Sequence, residues 1–276
     1  MPRWQELVVS DTGNQPSQPA GRTVASRLML GFLPFVGVAV IWLVLVHVFE
    51  VNQVFLPALE NMPKVIWGMF VDEGIISDIL ISSLRVVAGF VAALLLATPL
   101  GILMGYNARV HQLFEPIIGF IRYIPVPVFI PLCILRFGSG DLEKVIIIFL
   151  GAFFQLTLMV QDAANAVRRD FYEAATMLGA PRSAMVFRVL WPAALPQIFD
   201  SYRVCIGWAW TYLIVAEIVG ARTGIGFYIV KAQRYLMVPQ IFAAMTLIGL
   251  LGMTTDLLMG VAHRRLFRWH EGNARS

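Results

Sequence analysis

The sequence predicts an all-α integral membrane protein with about six transmembrane helices and a cytoplasmic helical loop between spans four and five. Two observations lead to this class. Of the 276 residues, 58% are hydrophobic and only 14% are charged, and the mean hydropathy is +0.74. A soluble domain cannot bury that much apolar surface, whereas spans of about 20 apolar residues place it in a bilayer.

Apolar segments long enough to cross a bilayer recur along the chain. The predicted spans are residues 28–49, 79–106, 116–135, 144–165, 197–219 and 239–263. The third contains several prolines, so its helix is expected to be kinked or interrupted, because proline lacks the backbone N–H that the helix needs. A polar loop is expected just before it, at residues 107–115.

The rest of the chain is expected to consist of two polar ends and one polar loop. Residues 1–27 predict a disordered cytoplasmic tail, residues 28–263 a transmembrane domain with a loop at 166–196, and residues 264–276 a cytoplasmic basic tail. Twelve arginines fall on the side of the termini, and six basic residues, Lys144 among them, fall on the other side. By the positive-inside rule, both termini and the loop face the cytoplasm. This segregation also argues against nucleic-acid binding as the reason for the basic charge.

The loop at 168–196 has the signals of two short helices joined by a sharp corner. Asp170 is placed to cap the first helix, and Glu173 follows three residues later, as in a capping box. Gly179 stands where the end of a helix needs a positive φ. A second helical run is expected to stop before Pro192. The pattern predicts a small rigid knob that another protein can grip.

The same residues carry a family resemblance. Glu173-Ala174-Ala175, then Gly179 after three residues, then Val189 and Trp191-Pro192, resembles the EAA loop of binding-protein-dependent ABC importer permeases. Further stretches are similar to the nitrate, sulfonate, taurine and bicarbonate branch of that family. They are Arg122-Tyr-Ile-Pro125, Pro131-Leu, Phe137-Gly, Ala216-Glu217 and Gly224-Ile-Gly226.

The resemblance implies a permease subunit that forms the path for a small anion across a bacterial inner membrane. It implies a homodimer of permease chains, two ATP-binding cassette subunits that hold ATP and Mg, and an extracytoplasmic solute-binding protein. The residues that would couple this chain to the ATPase are Glu173, Ala174, Ala175, Leu178, Gly179 and Pro192. Glu173 would fix the loop through Arg182 or Arg188, or else only cap its helix.

The chain itself is not expected to be an enzyme or to hold a cofactor or metal. Its three lysines are Lys64, Lys144 and Lys231, and none follows a glycine. A Walker A loop needs Gly-Lys before Ser or Thr to hold phosphates. The sequence also shows no catalytic or metal-ligating cluster. ATP-driven transport would therefore need a motor on another polypeptide.

Charged and aromatic residues within the spans are candidates for the translocation path. They are Arg122, Pro125, Trp208, Tyr212 and Glu217. Glu217 either shapes the path by pairing with a basic residue or ties its span to the next loop, for example through Arg222. Arg122 and Arg203 either attract an anion or snorkel to headgroups.

Two other function classes stay open on the sequence alone. An ATP-independent channel or secondary transporter predicts transport without ATP and a self-contained ion or proton relay. A membrane enzyme predicts a catalytic cluster, which the sequence does not show. Copurification with an ATPase would separate these alternatives from the importer hypothesis.

Overall fold

The computed structural model describes residues 24–52 and 55–269, which form helices and short connections without any strand. The α-helices are α1 Val24–His47, α2 Met62–Val71, α3 Ile75–Tyr106, α4 Ala108–Ile121, α5 Ile130–Phe137, α6 Asp141–Asn165, α7 Arg169–Met177, α8 Arg182–Ala184, α9 Trp191–Gly220, α10 Ile225–Arg234 and α11 Val238–Leu266. A 3₁₀ turn precedes α5 at Val126–Phe129, and a π-helix at Met185–Leu190 leads directly into α9. The predicted all-α class is confirmed.

The chain divides into two compact units, residues 1–60 and 61–276. In the first unit, the end of α1 is held by the segment that follows it. The Trp42 indole donates a hydrogen bond to the Pro57 carbonyl at 2.9 Å, and His47 Nε2 lies 3.1 Å from Glu60 Oε1. Most of the predicted tail, residues 1–23, lies outside the described residues.

Four helices of the second unit are long and apolar enough to cross a membrane: α3, α6, the continuous Met185–Gly220 helix that contains α9, and α11. A fifth candidate is the pair of segments Ala108–Ile121 and Val126–Phe137, which meet at an angle of 87°. The expected interruption of span three is therefore confirmed. In α1 the apolar part found is Val36–His47, so the total of six spans stays a prediction.

The predicted polar loop at 107–115 is wrong, because this segment is helical. Asn107 is extended and caps α4 by accepting a hydrogen bond from the Arg109 N–H at 3.0 Å. The side-chain oxygen of an N-cap satisfies one of the free N–H groups of the first helical turn. The chain breaks later, after Ile121, where the prolines of the 3₁₀ turn and of α5 follow.

Helix α6 is at the centre of the second unit and packs between α3 and α9. Glycines make the contact with α3 unusually close. A Cβ atom added at Gly101 would lie 2.6 Å from the Thr157 carbonyl oxygen, and one at Gly105 would lie 2.6 Å from Ala164 Cβ. Close backbone approach is what stabilises helix pairs in lipid, where burial against neighbours gains little hydrophobic free energy.

We expect Gly101→Ala to destabilise the protein by about 1–3 kcal/mol, because the added methyl group has no space against α6. Gly119→Ala in α4 is the matched control, since no atom of residues 24–52 and 55–269 lies within 4 Å of its Cβ position and alanine is the better helix former. Thermal unfolding in detergent measures the effect. Equal unfolding temperatures for the two variants would contradict the close α3–α6 contact.

Candidate functional site

The loop predicted to be a knob contains a complete Schellman motif at the end of α7. The Ala180 N–H donates to the Ala175 carbonyl and the Gly179 N–H to the Thr176 carbonyl, both at 3.0 Å. Gly179 has a φ of +74°, a conformation that costs a residue with a side chain about 1 kcal/mol or more. The predicted corner at Gly179 is confirmed.

The predicted capping of α7 by Asp170 is wrong. The N-cap residue is Arg168, which makes no side-chain capping bond, and α7 begins at Arg169. Asp170 lies inside the first turn, where its carboxylate accepts a hydrogen bond from the Arg168 guanidinium. Glu173 forms no ion pair with Arg188 in the described part of the chain, and the Arg182 side chain lies outside it.

The far end of α7 presents an apolar surface that nothing in the described part of the chain covers. Met177 and Leu178 are each 87% exposed, and Phe187 on the next helical segment is 73% exposed. Ala174 is also exposed, whereas Ala175 is partly buried. Large apolar side chains exposed together mark an interaction surface. We call residues 169–180 the hook.

The second helical run of the loop does not stop before Pro192, so that prediction is wrong. The π-helix Met185–Leu190 continues into α9, and Pro192 lies just after the junction of the two without ending the helix. The Leu190 side chain is fully buried. The hook is therefore joined to a candidate span through continuous helix.

Three of the five path candidates line one small cavity. Arg122, Trp208 and Tyr212 surround a space of about 60 Å³, together with residues of α6. The Arg122 guanidinium lies over the Tyr123 ring, 4.8 Å from its centroid, and donates to the Tyr123 hydroxyl at 2.9 Å. Pro125 precedes the 3₁₀ turn and does not line this cavity, and Glu217 lies elsewhere.

Glu217 belongs to a buried polar network centred on Arg85. Arg85 Nη1 donates to Glu217 Oε1 at 2.6 Å and to the Thr223 carbonyl at 2.8 Å. The Arg85 Nε atom donates to Asp141 Oδ1 at 2.9 Å, and Ser82 donates to Glu217 Oε1 at 2.8 Å. Arg85 is 5% exposed and Glu217 is fully buried. The network joins α3, α6 and α9, and Arg222 is not the partner of Glu217.

The Gly224-Ile-Gly226 motif is also part of this network. Its three backbone N–H groups donate in turn to Asp78 Oδ1, Ser82 Oγ and Glu217 Oε2, at 2.6, 3.0 and 2.8 Å. A Cβ atom at Gly224 would lie 2.3 Å from Glu217 Oε1. Glycine is therefore required where the start of α10 passes over the carboxylate. The Arg85 network fixes α10 to α3 and α9.

A second contact holds α10 to the segment before α3. The Tyr228 hydroxyl donates to Glu73 Oε2 at 2.7 Å. Burial raises the pKa of Tyr228, and the adjacent Glu73 carboxylate raises it further. The phenol therefore stays neutral and keeps donating at any physiological pH.

Sequence reasoning missed three charge pairs. Arg85 pairs with Glu217 as described, and Arg203 pairs with Asp256 through two bonds, at 2.5 and 2.6 Å. Lys144, expected to be an outer-loop charge, is 1% exposed and lies 2.8 Å from Glu143. The charged residues within the predicted spans indicated that ion pairs form there. Their spacing in the sequence does not show which residues pair.

Several spans packed through glycine contacts, with one exposed helical hook, define a polytopic helical membrane protein. Residues 97–269 match the family described as the inner membrane component of binding-protein-dependent transport systems. The chain belongs to this family of ABC transporter permeases.

Individual relatives agree with that family. A probable ABC transporter permease protein of Brucella abortus is 36% identical over 197 residues, covering 71% of this chain and 79% of the relative. The taurine transport system permease protein of Escherichia coli is 30% identical, with 73% of each chain covered. The inward-facing MetNI methionine ABC transporter has a similar fold, with a TM-score of 0.57, 18% identity, and 76% of this chain and 97% of that chain covered.

We expect Glu217→Ala to cost about 3–5 kcal/mol, because it removes the buried carboxylate that accepts hydrogen bonds from Arg85, Ser82 and the Gly226 N–H. Asp141→Ala is the control: this carboxylate also accepts from Arg85 but is 74% exposed, so its loss should cost at most about 1 kcal/mol. Unfolding of both variants in detergent provides the comparison. A smaller loss for Glu217→Ala than for Asp141→Ala would refute the central role of the buried pair.

Proposed function

We propose that this chain forms the translocation path for a small anion across the inner membrane, and that a separate ATPase subunit drives it. The observation that carries the proposal is the hook, which exposes Met177 and Leu178 beside a rigid Gly179 corner. Relatives are named as permeases for taurine, aliphatic sulfonates and bicarbonate. The cargo we infer is an anion of this class: a sulfonate, taurine, bicarbonate or nitrate.

The hook transmits the motion of the ATPase to the spans. Leu178 and its exposed neighbours enter a groove on the ATPase, and the continuous helix from Met185 into α9 carries the movement onward. Rigid-body movement of packed helices is an established way to convert closure at one site into opening at another. ATP and Mg bind to the ATPase, and this chain performs no catalysis itself.

The working assembly contains two copies of this chain, two ATPase subunits and an extracytoplasmic solute-binding protein. The single chain leaves large apolar side chains of α9 and α11 exposed, among them Trp208 and Met253. A two-fold axis between two such chains would enclose a path that neither chain closes alone. Selectivity then resides largely in the solute-binding protein.

The orientation we propose puts the hook and both termini in the cytoplasm. Residues 1–27 and 264–276 are cytoplasmic tails of a transmembrane domain at 28–263, with the coupling loop at 166–196. Burial of Lys144 removes one of the six basic residues that had been counted on the opposite side. Without Lys144, the comparison of basic residues is twelve on the hook side against five on the opposite side.

A channel or secondary transporter remains the competing function. It requires transport without ATP, whereas the hook has no task in such a protein. Copurification of this chain with an ATPase, followed by a screen of sulfonates, taurine, bicarbonate and nitrate for increased ATP turnover, tests the proposal. A chain that purifies without an ATPase and conducts solute would refute it.

We expect Gly179→Leu to abolish solute-stimulated ATP turnover while the permease still inserts and folds, because the strained corner displaces the hook. Gly138→Leu is the matched control, since Gly138 also has a positive φ, +76°, and no contact within 4 Å of its Cβ position in the part of the chain that the structure describes. ATP hydrolysis by the two purified complexes gives the result. Normal stimulation in Gly179→Leu would exclude coupling through this corner.

A further inference from the structure

We infer that Arg203, held by Asp256, is an anion contact in the translocation path. The inference rests on the proposed function and names a residue for it. Arg203 lies on α9 and Asp256 on α11, and the two side chains form a bidentate pair. The pair also differs from the Arg85 network because it is only partly buried. The Arg203 side chain is 41% exposed, and the Asp256 side chain is 48% exposed.

The pair lies near the middle of both helices. Phe199 packs on Phe267, so the first turns of α9 and the last turns of α11 are adjacent. At 1.5 Å per residue, Arg203 is about 18 Å from the start of α9, and Asp256 is about 15 Å from the end of α11. Counted from the inner ends of the predicted spans, at residues 197 and 263, Arg203 and Asp256 lie about 9 and 10 Å inside the hydrocarbon region.

Half-exposed charges at that depth do not face lipid. A single charge at the bilayer centre costs at least about 2.5–3.5 kcal/mol, so such groups face protein or water. The residues on the neighbouring surface of α9 indicate that this surface contacts water rather than lipid. Gly207, one turn beyond Arg203, and Thr211, one turn further, are exposed, and the exposed Trp208 beside them lines the cavity described above. Among the described residues, no atom lies within 4 Å of a Cβ placed at Gly207.

The guanidinium keeps one donor group for a ligand. Its Nε and Nη2 atoms bond to Asp256, and Nη1 has no acceptor in the described part of the chain. Asp256 holds the guanidinium plane, and Gly260, whose Cβ would lie 3.5 Å from the guanidinium carbon, leaves room for it. Asp200, one turn toward the start of α9, lies 3.5 Å from His263. An oxyanion would therefore meet Arg203 at the Nη1 edge, which makes no bond to Asp256.

Reagent accessibility in the assembled permease–ATPase complex tests the inference. The reporter is Gly207→Cys in a Cys133→Ala, Cys205→Ala background. It is treated with matched anionic and cationic methanethiosulfonates, the sulfonatoethyl and trimethylammonioethyl reagents. The anionic reagent carries the sulfonate group of the proposed cargo. Tyr235→Cys, 68% exposed beyond α10, is the reactive control, and Leu258→Cys, 66% exposed on another side of α11, is the lipid-facing control.

We expect Gly207→Cys to react and Leu258→Cys to stay inert. In water, one charge about 6 Å from the reporter cysteine changes the reaction rate of a singly charged reagent by about threefold. Adding Arg203→Gln should therefore slow the anionic reagent about threefold and speed the cationic one similarly. Asp256→Asn should do the opposite, because it frees the Arg203 charge.

Two results would overturn the inference. A Gly207→Cys reporter that is inert while Tyr235→Cys reacts would mean that a second chain or lipid covers this face. A reactive reporter whose preference between the reagents ignores Arg203→Gln and Asp256→Asn would mean that Arg203 does not act on anions. Solute-stimulated ATP turnover of the same complexes, measured in parallel, reports on the proposed function separately.

Discussion

A membrane interior that offers no water to polar groups is the constraint on which this structure depends. Arg85 is buried and donates to two carboxylates, a carbonyl and the Thr223 hydroxyl, so its charge and its donor groups are matched by the protein itself. The same network takes up the backbone N–H groups at the start of α10. Where spans carry no charge, glycine contacts between α3 and α6 supply the attraction that hydrophobic burial cannot supply in lipid.

The single chain satisfies its buried polar groups but leaves two surfaces exposed, and these are the surfaces proposed to be functional. The Arg85 network is satisfied internally, so the elements it joins move together. The hook and the partly exposed Arg203–Asp256 pair are not covered by the described part of the chain. Large apolar side chains stay exposed at the hook, and charges stay exposed at the pair. A rigid framework with two open surfaces is what a subunit needs if an ATPase pushes one of them and solute passes the other.

The sequence predicted the features that follow from local chemistry. Apolar runs located the spans of the second unit, the prolines predicted the break after Ile121, and Gly179 predicted the corner of the hook. Local reasoning failed where a tertiary contact or a cap changed the outcome. Asn107 turned a polar stretch into helix, and Pro192 fitted the first turn of α9 without ending the helix. The partner of Glu217 lies 132 positions away, at Arg85, and no spacing rule reaches that far.

The central claim is that this chain moves solute only when a separate ATPase acts on its hook. Uptake of labelled taurine, sulfonate or bicarbonate into proteoliposomes tests it most directly. The vesicles hold the permease with or without its ATPase, and the solute-binding protein is outside. We expect uptake only with ATPase and ATP on the hook side. Uptake by the permease alone, at the same rate without ATP, would contradict it.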